Sequence, residues 1–127
     1  MTTLRDEDHA AGEGATTLGS SQLDGLLTGN TLYIDLPPGG PGGANGGMAT
    51  CFFGGDGRAA FELPTGTTLR GPWRLAGDHY CADWDNGPKN SCSRLVKAEG
   101  MILIFDVASG QKRAVVKSIV PGNPASL

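Results

Sequence analysis

The chain has 127 residues, the size of one domain, and its 21 glycines favour strands punctuated by turns over a helical fold. A formal net charge of -3 supplies no broad positive field, so nucleic acid is not an expected partner. The longest apolar run, Met101 to Phe105, is five residues, far short of the roughly 20 that a membrane-crossing helix needs.

Residues 1–20 contain no apolar stretch of signal-peptide type and read as a polar, acidic, disordered lead, in which His9 is assigned no catalytic part. Two origins fit that lead: a cytoplasmic chain, or a chain from which a leader was removed. Residues 21–127 are expected to form a single β-barrel domain. Ser21-Gln22-Leu23-Asp24-Gly25-Leu26-Leu27 predicts a short helix, with Ser21 as its cap, Asp24 three residues later as in a capping box, and the leucines on one face. Gly29 and Asn30 end it. A helix of about two turns does not persist alone and needs to press its leucines onto a sheet.

From Thr31 the period changes to two. Leu32, Ile34 and Leu36 alternate with Tyr33 and Asp35, as in a half-buried strand, and Pro37-Pro38 stops it. Pro37 to Gly47 holds six glycines and three prolines and reads as a mobile loop; it lacks the following helix and Gly-Lys-Ser/Thr ending of a phosphate loop. Met48–Phe53 and Arg58–Leu63 flank Gly54-Gly55-Asp56-Gly57, a strong hairpin signal. Thr68-Leu69-Arg70, then Trp73-Arg74-Leu75 beyond Gly71-Pro72, then His79–Trp84 continue the pattern. Ser91–Lys97, Met101–Val107 and Lys112–Val120 supply three more strands. Eight or nine short strands with tight sequential connections predict an all-β antiparallel meander, forming a small barrel or a sandwich, with one N-terminal helix.

Cys81 and Cys92 flank a ten-residue segment centred on Asp85-Asn86-Gly87-Pro88, so a hairpin there would place them opposite one another as a disulfide. Free thiols and a metal site are the rival readings; only His79 stands near Cys81, and the second ligand pair of a structural zinc site is missing, so no metal and no cofactor are expected. Cys51 reads as a buried small hydrophobe. His79, Asp83 and Asp85 form the one candidate acid/base set, with a solvated strand face as its plainer reading and no accompanying nucleophile. Phe53, Trp73, Tyr80 and Trp84 are the candidate ligand-binding aromatics.

The order of these features, from the leucine helix and Gly29-Asn30-Thr31 through Phe52-Phe53, Asp56-Gly57, Gly71-Pro72-Trp73, Tyr80-Cys81 and Cys92 to Gly122-Asn123, resembles small secreted alphaproteobacterial proteins of unknown function. The plan is also similar to calycin barrels such as lipocalins and avidins, although their Gly-X-Trp lies near the start of the barrel and Trp73 lies in mid-chain. The resemblance implies an exported, periplasmic or secreted protein with a cysteine bridge and brings no catalytic residue. The leading expectation is therefore an extracytoplasmic module that binds a small apolar ligand or a partner protein. An enzyme centred on His79, Asp83 and Asp85, and an accessory subunit of a larger complex, are the alternatives.

Overall fold

The computed structural model describes residues 15–38 and 46–127. The sequence expectations for His9, most of the lead and most of the Pro37–Gly47 loop lie outside them. In chain order the elements are β1 (Thr16–Thr17), α1 (Ser20–Leu27), β2 (Asn30–Leu36), β3 (Gly47–Phe53), β4 (Arg58–Glu62), β5 (Thr68–Ala76), β6 (His79–Ala82), β7 (Ser91–Ala98), β8 (Met101–Asp106) and β9 (Lys112–Pro121). Strands β2 to β9 pair antiparallel, each with its successor, and β9 returns to pair with β2. The result is a closed eight-stranded barrel, in which each of β2 to β9 has a strand partner on both sides. The sandwich alternative is thereby resolved.

β1 completes the wall where β6 is too short. β7 pairs with β6 through Ser91, Cys92 and Ser93, and further along the same edge Val96 and Lys97 take Thr17 and Thr16 as partners. The Leu18 amide donates to the Leu95 carbonyl at 2.9 Å, which leads the chain directly into α1. Leu23 and Leu27 are wholly buried, so the helix acts as a plug against one end of the barrel core.

The plug is capped differently from the expectation. The N-cap is Gly19, whose amide donates to Gln22 Oε1 at 2.9 Å, so Gln22, three residues past the cap, plays the capping-box part assigned to Asp24. Asp24 instead accepts the Thr28 hydroxyl at 2.6 Å. Asn30 closes the other end, donating through Nδ2 to the Leu26 carbonyl at 2.9 Å while its backbone already opens β2.

β5 is one nine-residue strand rather than two pieces split at Gly71-Pro72. Its first half, through Pro72, pairs with β4, and its second half, from Trp73, pairs with β6. Glycine is required at the crossing, because a Cβ at Gly71 would stand 2.1 Å from the Asp83 carbonyl oxygen. Pro72 offers its carbonyl to the Asp83 amide at 3.0 Å, so the chain beyond β6 continues along β5.

Candidate ligand-binding site

Alternation along the strands decides what faces inward. On β2, Leu32, Ile34 and Leu36 point into the barrel, and on β6 Tyr80 and Ala82 do so while Cys81 faces outward. With α1 filling one end, the inward residues towards the other end enclose a cavity of about 390 Å³. That is a volume typical of small-ligand pockets. Its walls are mostly aliphatic and aromatic.

The cavity mouth is shaped by the segment after β6. Asn86 is clamped to β5, donating to the Thr68 carbonyl at 3.0 Å and accepting the Arg70 amide at 3.2 Å. The Asp85 amide donates to the Arg70 carbonyl at 2.6 Å. These bonds lay Asn86, Gly87 and Pro88 against the cavity, where a Cβ on Gly87 would press on Leu69 and Trp84.

Three of the four candidate aromatics stand in the cavity wall: Phe53, Tyr80 and Trp84. Phe53 and Tyr80 meet edge to face with ring centroids 5.1 Å apart, and Trp84 lies beside Phe61 at 6.0 Å. Trp73 is not part of the wall. Its indole Nε1 donates to the Gly54 carbonyl at 2.9 Å and its ring meets Phe53 edge to face at 5.0 Å, so it ties the β3–β4 turn to the core. A buried tryptophan needs such a partner for its N–H, and that bond fixes its place.

Cys81 and Cys92 are directly opposite in the β6–β7 register, with Cα atoms 4.0 Å apart, and are joined by a disulfide. Cys51 is a buried free thiol in the cavity wall, and burial pushes its pKa well up, leaving it protonated at neutral pH. His79 has a ligand atom within 4.8 Å of both Cys81 and Cys92, yet the two sulfurs are bonded to each other and are not thiolate ligands. Its Nδ1 meets Asp78 at 3.1 Å. The carboxylates assigned to the acid/base set are drawn elsewhere: Asp83 pairs with Arg74 at 3.3 Å and Asp85 with Arg58 at 2.6 Å. The structure does not bring the three together.

One polar group in the wall escaped the sequence reading. Arg113, Ser91 and Ser93 line the cavity together with Tyr80. Arg113 is there because of a β-bulge. Ile104 pairs with Ala114 but Phe105 pairs with Lys112, leaving Arg113 as the extra residue. A bulge re-aims a side chain, and so Arg113 shares the cavity with Ala114, its immediate neighbour. Regular alternation would have put the two on opposite faces, and no residue type in Lys112–Val120 signals the change. The inward pair Ser91 and Ser93, small and polar at a spacing of two, was the available hint.

The guanidinium is held on two sides. Nη1 donates to Ser91 Oγ at 3.1 Å and Ser93 Oγ at 2.9 Å, and Nη2 donates to Asp106 Oδ1. Nε–H is buried and has no partner among the described residues. Leaving a buried donor unmatched costs about 1–3 kcal/mol. The Tyr80 phenol stands in the same patch: burial pushes its pKa well up, reinforced by Cys51, against the smaller opposing effects of Ser93 and Arg113.

No family model, curated protein or solved structure matches this chain. The functional reading therefore rests on the barrel and its cavity.

Proposed function

We propose that this protein is an extracytoplasmic binding module that holds a small, mainly apolar ligand inside the barrel. The observation that carries the reading is the cavity itself: about 390 Å³ bounded by aliphatic and aromatic side chains, at the end of the barrel that α1 does not plug. A core that only had to be stable would fill such a space, since interiors are packed to crystal-like density. The Cys81–Cys92 bridge supports export, because structural disulfides persist in oxidising compartments.

The test is titration with a neutral apolar fluorophore such as N-phenyl-1-naphthylamine. Saturable enhancement at about one probe per chain is expected, with transfer from Trp84 lost in Trp84→Phe and residual transfer from Trp73 retained. Absence of saturable uptake by the folded protein would sink the reading. Thiol counting on the endogenous, unreduced protein tests the compartment: one free thiol, appearing only on denaturation, is expected, and three would place the chain in a reducing environment.

A further inference from the structure

We infer that the ligand is a small amphipathic carboxylic acid, seated with its carboxylate at the polar patch formed by the Arg113 guanidinium, Tyr80, Ser91 and Ser93, and with its apolar body among the aliphatic and aromatic residues of the cavity. This rests on the binding reading above. Four observations carry it beyond an apolar pocket of unspecified occupant.

First, the bulge in β9 places a permanently charged guanidinium in the wall of a mainly apolar cavity. Second, that guanidinium is positioned by bonds that use three of its five N–H donors, both on Nη1 by Ser91 and Ser93 and one on Nη2 by Asp106, so it keeps donor capacity and an uncancelled preference for an acceptor. Third, Asp106 is itself committed, because its other carboxylate oxygen accepts the Ser109 amide at 2.9 Å and hydroxyl at 2.7 Å. It therefore fixes Arg113 rather than competing for the cavity. Fourth, the patch is donor-rich: Tyr80, Ser91 and Ser93 add hydroxyl groups beside the guanidinium, and the matching ligand group is an acceptor. A carboxylate accepts such charge-assisted bonds best.

The location also sets the ligand's orientation. Arg113 lies on the part of β9 paired near the Leu36 end of β2, away from the α1 plug, whereas Phe53 lies at the plugged end beside Asn30. The head group sits towards the mouth and the apolar body points inward.

The experiment compares decanoate with its methyl ester, at constant ionic strength, by displacement of the naphthylamine probe from the wild-type protein, Arg113→Lys and Arg113→Leu. Decanoate is expected to bind wild type roughly tenfold more tightly than the ester, the scale of one charge-assisted bond. The leucine variant is expected to lose that preference while still taking the ester, and the lysine variant to recover part of it. The Arg113 guanidinium resonances, assigned by their loss in the variants, are expected to shift with decanoate and not with the ester. Equal binding of acid and ester, or unmoved guanidinium resonances at saturation, overturns the carboxylate assignment while leaving an apolar binding module standing. Failure of the probe, the acid and the ester alike to bind overturns both readings. The wild-type acid-to-ester comparison needs no substitution, so it decides even where a variant fails to fold.

Discussion

The carboxylate of Asp106 accepts the Ser109 amide and hydroxyl on one oxygen and the Arg113 guanidinium on the other. Burial alone would raise its pKa, but the Ser109 bonds and the Arg113 charge outweigh it and hold the group below the usual carboxylate range. A depressed folded pKa means that the ionised carboxylate stabilises the fold at neutral pH. That contribution is lost as pH falls below the ordinary value of about 3.9 towards the lower folded one. The thermal midpoint of the wild type is therefore expected to fall more steeply below about pH 4 than that of Asp106→Asn, measured by circular dichroism. Parallel pH profiles would contradict the assignment. These links were hidden in the sequence, where Asp106 and Arg113 read as unremarkable polar ends of two neighbouring strands. The bulge that joins them is a backbone event without a residue signature.

At the level of strands and turns, most of the architecture could be read from period and punctuation. The β3–β4 hairpin follows from Asp56-Gly57, where Gly57 takes φ 87° and Asp56 Oδ1 accepts the Arg58 amide at 3.0 Å. The β6–β7 staple follows from the turn residues between the two cysteines. The unity of β5 did not follow, because Gly71-Pro72 carries the composition of a break. The need for glycine there comes from a backbone that arrives from Asp83, beyond β6. Two stability predictions belong to these elements. The two-residue turn between β7 and β8 has both Glu99 (φ 54°) and Gly100 (φ 78°) left-handed, the geometry that favours Asn-Gly. Glu99→Asn is expected to stabilise by roughly 0.5–1 kcal/mol, seen as a higher urea midpoint at unchanged slope. Removing the disulfide as Cys81→Ala with Cys92→Ala is expected to cost about 3 kcal/mol in the same assay, for a closed loop of this length. A loss below about 1 kcal/mol would show that the β6–β7 register survives without it.

Across the whole molecule, the turn-rich meander announced an all-β protein, and its closure into a barrel was left open beside a sandwich. The deciding pair, β2 with β9, joins residues from opposite ends of the chain, and local pattern does not encode a contact of that separation. The same holds for the cavity, whose wall draws on eight of the nine strands and the loops between them. The helix was legible as a leucine face in need of a sheet, and its burial as a plug makes it costly to disturb. Leu23→Ala, at a fully buried position, is expected to lower stability by about 2–5 kcal/mol, measured by denaturant unfolding.

The β2–β9 seam has a kinetic consequence. Among strands β2 to β9 every other junction is a hairpin between neighbours in sequence, but this one must close a loop spanning most of the chain, and long loops are entropically slow to close. The cavity exists only once that seam has formed. An occupant bound inside should therefore leave the refolding rate almost unchanged and slow unfolding, so that its protection is read in the lifetime of the closed barrel. Stopped-flow chevrons with and without bound probe would show this as a shift confined to the unfolding limb.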